Sequence, residues 1–555
     1  IFPTFREQLT LQKDYSLGFI RQTPPGGFQI YGGKAKFENE IRLSNKGLRA
    51  DGDLNYVTST TRSKDFIFFP DSMNTMANSF DLKEQIDPIE FPQAHGDTVY
   101  VHWMPYKDVM NATDKASPFK TYNGKCTFKG RYSLSPLELH GNGVIDMVKA
   151  DISAVNILFK QHQFFSDTAD FHLKAIDEEG LTFASDNVNA KMDLDKRVGE
   201  FVANGSASIV RFPKNQYIAY MERFKWFMDS EEIQLGDENK KLDGSVENAL
   251  DLEGPQFISV HPKQDSLRFL APAAKYNLRK CVISCINVPF INVADARVFP
   301  DSGKVIIYRN AVIDTLKNAN ILANTVTKYH TIRNVTANIF GRFNYLANGE
   351  YQYLDENKKP YLIKFNTIKP DTAGQTVSEG VINEESKFQF NDYFSFAGKV
   401  FLYASNKFLT YDGGTKIVHA CGKIGKAYLK FNGEIDPNDI LIPLPENTTD
   451  MNGKPVGSAI IYGQDTNMVY SSFVSLRGGR KDVDVVGASG FLGFDKDSKE
   501  YRISNKEKLV EQSLPGNYIS LNTEDCKVYA EGKMDLGADL GQVKFNTIGI
   551  ATHST

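Results

Sequence analysis

The residues whose type and spacing could do chemistry are few and fall in separate stretches. In Phe224-Lys-Trp-Phe-Met228 the pattern alternates, so Phe224, Trp226 and Met228 share one face of an extended strand. If that face lines an open groove, it offers an apolar slot for acyl chains or a platform for sugar rings. These three are therefore the expected ligand-binding residues, with ordinary core packing as the competing reading. His419-Ala-Cys421 sets an imidazole and a thiol two positions apart. Two such ligands could begin a zinc site, but nothing nearby in sequence supplies the others. Asp193-Leu-Asp-Lys-Arg197, Asp436-Pro-Asn-Asp439 and Asp495-Lys-Asp497 gather oxygen ligands. They lack the glycine and further carboxylates of a calcium loop, so they read as turn chemistry. Arg477-Gly-Gly-Arg480-Lys481 is the densest basic cluster, suited to an acidic polysaccharide or a lipid head group, or simply a solvated turn. Paired carboxylates for sugar hydrolysis depend on a distance that sequence does not carry.

The familiar catalytic signatures are missing: there is no GxSxG, HExxH, GxxxxGK[ST] or GxGxxG. Gly141-Asn-Gly-Val-Ile-Asp146 departs from the dinucleotide pattern and reads as a turn, as does Ser489 in Gly487-Ala-Ser-Gly490. No catalytic residue, cofactor or metal is expected. With 64 basic and 68 acidic residues the net charge is −4, which argues against a nucleic-acid partner. Hydrophobic residues at 41% and charged residues at 24% suit a folded chain. No run of 18 apolar residues marks a membrane helix. The five cysteines cannot all pair within the chain, and they read as small buried apolar residues. In a strand, Cys281 and Cys285 would share a face but stand about 13 Å apart, too far for a disulfide.

These residues must be positioned by strands. Phe (39) and Tyr (25) far outnumber Trp (2), and with 42 Gly this is a β-rich balance. Tyr31-Gly-Gly-Lys-Ala-Lys-Phe37 overlays Tyr122-Asn-Gly-Lys-Cys-Thr-Phe128 at an offset of 91 residues. The register holds without gaps through Phe80-Asp-Leu-Lys83 over Phe171-His-Leu-Lys174, so two copies of one unit are expected, at 31–83 and 122–174. From residue 286, short phrases pair small residues and Asn with Val or Ile, as solenoid rungs do. The best helical candidates, Ala311–Asn324 and Asp71–Asp81, lack caps and a clear stripe. The expected fold is all-β with very little helix, an elongated β-solenoid or serial β-sandwich-like repeats. Its regions are 1–250 with the two copies, a solenoid-like 251–424, and a C-terminal 425–555. The segment Pro445–Gly457 is the expected surface loop.

The stretch Val188-Asn-Ala-Lys-Met-Asp-Leu-Asp-Lys-Arg-Val-Gly-Glu-Phe-Val-Ala-Asn-Gly205 resembles the repeat phrase of lipopolysaccharide-transport β-taco proteins of the OstA type. Tyr345–Tyr353 with its Asp355-Glu-Asn-Lys-Lys turn is similar in grammar, and the style resembles large cell-envelope proteins of Bacteroidota. The resemblance implies an exported, periplasmic or outer-membrane-associated β-solenoid whose apolar groove passes lipid. It carries no specific functional residue across. The expected role is a non-enzymatic structural or lipid-transport component of a bacterial envelope, working with envelope proteins in a larger assembly, with lipid or glycan as ligand. The alternative is a polysaccharide-binding or polysaccharide-active β-protein. An outer-membrane barrel fits less well, since charges interrupt both strand faces. The first residue, Ile1, and the strand-like Ile548–Thr555 suggest an excerpt of a longer chain. Four Asn-x-Ser/Thr triplets, at Asn111, Asn204, Asn334 and Asn447, carry little weight.

Overall fold

The structure is a computed structural model that describes residues 1–176, 179–239, 255–479, 481–537, 541 and 545–555. The fold is all-β, with 60% strand and 4% helix. Residues 1–291 with 302–314 form one compact unit, and 292–301 with 315–555 form another. The expected step at 250/251 lies outside the described residues. That at 424/425 falls inside the second unit, before the strand Leu429–Glu434.

The first unit opens as an antiparallel meander in which sequence neighbours pair: Ala35–Ser44, Gly47–Tyr56, Ser59–Phe68, Met73–Leu82 and Ala94–Met104. In a flat strand the buried face repeats every second residue. Ala35–Ser44 and Gly47–Tyr56 keep that alternation, while in Ser59–Phe68, Met73–Leu82 and Ala94–Met104 it slips once near the middle. Along Ser59–Phe68 the buried residues are Ser59, Thr61 and Ser63, then Phe66 and Phe68. Along Met73–Leu82 they are Met73, Thr75 and Ala77, then Phe80 and Leu82. Two successive outward residues at the slip make a corner, and the ladder opens there: Arg62 faces Ser79, and the next recorded pair is Phe66 with Thr75. Both halves of these slipped strands thereby turn their buried side to one interior. Phe37 packs on Phe66 and Phe68 at 5.4 and 5.8 Å between ring centroids.

The two repeated stretches match strand for strand. Ser59–Phe68 corresponds to Ala150–Phe159, and Phe28–Ile30 to Phe119–Thr121, at the same 91-residue offset. The phenol of Tyr31 donates to the Ser72 carbonyl at 2.9 Å, and that of Tyr122 to the Gln163 carbonyl at 2.9 Å, again 91 residues on. The pairing then continues where sequence similarity ends. Phe28 faces Phe37, Phe119 faces Phe128, and Val210 faces Ala219. Phe19 faces Leu43, Met110 faces Leu134, and Phe201 faces Phe224, the last with a slip of one residue.

The corner position is legible across these three occurrences. It falls at Asn39 (φ 102°), then at Gly130 (φ 152°), and in the third it becomes a break between the strands Tyr217–Met221 and Arg223–Phe227. Gly130 faces Gly143, and a Cβ on Gly130 would lie 2.2 Å from the Asn142 carbonyl oxygen. The phrase Gly141–Asp146 is thus part of the strand Leu139–Asp146, not the turn expected from its glycines, because Gly143 is needed where two backbones cross. Beyond Leu181–Asp193 the sheet divides into two ladders. One runs through Val198–Ala203, Arg223–Phe227, Glu232–Gly236 and Ala273–Asn277, the other through Ser208–Phe212, Tyr217–Met221 and Gln256–Ser259.

In the second unit the meander runs from Leu316–Leu322 through Thr331–Gly341, Asn344–Leu354, Pro360–Pro370, Thr376–Ile382, Phe394–Tyr403 and Thr410–Ile417 to Leu429–Glu434. It is followed by a six-stranded and a three-stranded antiparallel sheet. Both helical candidates are strands, Met73–Leu82 and Leu316–Leu322. The corner slip had disguised their alternation as a longer period. His330 is buried in this unit, with Nε2 2.8 Å from the Asn406 carbonyl.

Two outcomes follow for stability. Gly130→Ala forces a side chain into a neighbouring backbone at a glycine-only φ and should cost about 1–3 kcal/mol. Val148 is β-branched at φ 67° and 81% exposed. Val148→Gly should therefore raise stability by about 1 kcal/mol. Urea unfolding of both variants checks this. Burial pulls the His330 pKa below its ordinary value, with the Asn406 carbonyl opposing. Its contribution to stability is intact above about pH 6.5 and is lost as pH falls toward the lower folded-state value. His330→Gln should flatten the fall in unfolding midpoint between about pH 7 and pH 5.

Candidate functional site

Phe224, Trp226 and Met228 lie inside the first unit, 3%, 3% and 8% exposed. Phe224 stacks on Phe201 at 4.6 Å and meets Phe183 edge-on at 5.1 Å, while Trp226 lies 5.5 Å from Phe171. Phe224 stands one residue from the place of Leu43 and Leu134 in the two earlier occurrences, so this strand is a rung of the interior. The indole Nε1 of Trp226 is buried without a hydrogen-bond partner among the described residues.

The acidic turns cap their own backbones. Asp193 Oδ1 accepts from the Asp195 and Lys196 amides at 3.1 and 2.9 Å, and its Oδ2 accepts from Gln163 at 2.8 Å. Asp495 Oδ1 accepts from the Asp497 and Ser498 amides at 3.0 and 2.9 Å. Among the described residues no three His, Cys, Asp or Glu side chains gather as a metal site.

The cysteines divide. Cys126, Cys281 and Cys285 are buried thiols, as expected. Cys421 and Cys526 form a disulfide across 105 residues, which corrects their reading as apolar fillers. No local pattern announces a pairing over that separation, since only the fold brings the strand Lys527–Met534 near the Val418–Ala427 segment. Cys421 is therefore not a thiolate partner for His419. His419 Nδ1 instead accepts the Cys421 amide at 3.2 Å. Burial, with the charges of Lys426 and Lys416 adding to it, lowers the His419 pKa.

Clefts open among the described residues of the second unit, and two of them are lined by polar groups. The larger, about 1040 Å³, lies between the strands Val456–Gly463 and Asp482–Gly487 on one side and Lys527–Met534 on the other. It receives the one described arginine of the predicted basic cluster: Arg477 donates to Asp484 Oδ2. Asp484 Oδ1 is buried with no donor among the described residues. Arg480 lies outside the described residues, and Lys481 faces Asp465 at 3.7 Å. Glu446, from the expected Pro445–Gly457 loop, and Asp535 also line this cleft. Asn517 is fixed at its wall, donating to the Gly487 carbonyl at 2.7 Å and accepting the Lys533 amide at 2.9 Å. The arrangement offers fixed acceptors and donors to a polyhydroxylated ligand. The smaller cleft, about 760 Å³, is bordered by Lys423, Lys426, Tyr428 and Met451. Sequence reasoning missed both clefts because their walls come from segments up to about a hundred residues apart, as the lining shows.

Removing the Cys421–Cys526 link frees a loop on the order of 100 residues, which in the chain-entropy account lowers stability by about 4–5 kcal/mol. Reductant should shift the unfolding midpoint of the wild type to that of the Cys421→Ser/Cys526→Ser variant and leave the variant unmoved. No protein-family model matches the chain, and neither does any curated protein or solved structure.

Proposed function

We propose that this chain is a non-enzymatic structural component of a bacterial cell-envelope assembly, acting outside the cytoplasm. The observation that carries the reading is the repeated meander with a filled interior. Phe37, Phe66, Phe80 and Trp103 are each 0% exposed, so the rings of successive strands occupy the space that a lipid carrier would leave open. This favours a scaffold over lipid passage. The Cys421–Cys526 disulfide supports an oxidising compartment. The strand Thr547–Ser554 is bonded along one side to Lys527–Met534 and presents Ile548 and Ile550 at 81% and 65% exposure, which supports a protein partner.

Native mass spectrometry of the protein from its own source, with lipid extraction of the same sample, tests this. A stoichiometric envelope partner without co-extracted lipid is the expected result, and a lipid-loaded monomer would overturn it. The larger cleft supports a second reading, a polysaccharide-active protein, through Glu446, Asp484 and Asp535 on its walls. Turnover of a glycan that Asp484→Asn abolishes would select that reading.

A further inference from the structure

The smaller cleft is built differently from the larger one. Its acidic groups are already engaged. Glu384 accepts the Tyr428 phenol at 3.0 Å. Asp450 accepts the Asn452 and Lys454 amides at 2.9 and 2.8 Å, and these turn contacts outweigh burial to hold its carboxyl below the usual range. Lys423 and Lys426, by contrast, are exposed at the rim, and neither has a carboxylate within ion-pair distance among the described residues. A third ammonium, Lys416, sits 4.9 Å from the Tyr428 ring centroid. Among these groups three ammonium ions stand against two carboxylates, an excess of one positive charge in a chain whose net charge is −4.

The segment that carries the two lysines is irregular yet pinned at three points. Cys421 is bonded to Cys526, Ile424 is 3% exposed, and Gly425 packs so closely on the strand Met468–Leu476 that a Cβ there would lie 2.9 Å from the Ser475 Cβ. Pinning holds Lys423 and Lys426 on either side of a buried residue, in place beside Tyr428 and the half-exposed Met451. A cleft of about 760 Å³ is far larger than an inorganic anion requires. The ring face and thioether suit the carbon face of a sugar, the Asn452 amide suits its hydroxyls, and the ammonium groups suit a carboxylate.

We propose that this cleft binds a carboxylate-bearing sugar unit of an acidic polysaccharide, with Lys423 and Lys426 holding the carboxylate and the Cys421–Cys526 disulfide fixing the segment that presents them. The proposal is independent of the scaffold reading and of the larger cleft.

Isothermal titration of the full chain with an oligogalacturonate, the neutral galactose oligomer of the same length, and inorganic phosphate tests it. The acidic oligomer should bind, with affinity falling as salt is raised, and the neutral oligomer and phosphate should not compete with it. Lys423→Gln/Lys426→Gln should weaken binding about tenfold, the loss expected for two partly exposed charge contacts. Gly425→Ala, which displaces the segment without changing charge, should weaken it too, and Lys46→Gln on the first unit should not. Absence of binding, equal binding of the neutral oligomer, displacement by phosphate at equal concentration, or full affinity in the double lysine variant would each overturn the proposal.

Discussion

The mid-strand corner, a slip in alternation in strands such as Ser59–Phe68 and Met73–Leu82 and a positive φ at Asn39 and Gly130 in others, is the constraint on which the first unit depends. A strand that alternates strictly has one apolar face and needs a second layer to cover it. A strand whose alternation slips by one residue at a corner brings its two apolar halves to face a common interior. The slipped strands of this meander then supply both walls of the core, so the interior is completed by neighbours close in sequence. The cost is local. Backbones approach at the corner and the position must accept an unusual φ, which explains Gly130 opposite Gly143 and the positive φ of Asn39.

That constraint also explains what was legible in the sequence. The 91-residue offset between Tyr31–Phe37 and Tyr122–Phe128 was visible because tyrosine, glycine and phenylalanine hold fixed places at a turn and on the inner face. The third occurrence was not, because Val210 and Ala219 preserve the pairing of Phe119 and Phe128 without preserving their chemistry. The slip misled in the other direction along Asp71–Asp81, where buried residues at 75, 77 and 80 imitate a mixed period. Phe224 and Trp226 alternate as expected, but whether alternation faces a groove or a filled interior is decided by Phe171, Phe183 and Phe201, which come from other strands.

The second unit divides its labour by another rule. Its meander follows the neighbour-pairing grammar, while its smaller cleft is bordered by an irregular segment held by a covalent link, a buried isoleucine and a close glycine contact. None of these has a sequence signature, since each is defined by what lies opposite. Arg477 was legible as basic, but its partner Asp484 fixes it as part of a wall. The polar chemistry of the smaller cleft is therefore carried by an irregular segment beside a regular sheet, while strand residues such as Asp484 contribute to the larger one.

The recurrence of one pairing scheme, Phe28 with Phe37, Phe119 with Phe128 and Val210 with Ala219, has a consequence for how the blocks join. The first two blocks each end on a strand that pairs with the opening strand of the next, Met73–Leu82 with Ala94–Met104 and Gln163–Lys174 with Leu181–Asp193. The joint between the two copies thus recurs at a period of 91 residues, which the tyrosine ties at residues 31 and 122 mark out.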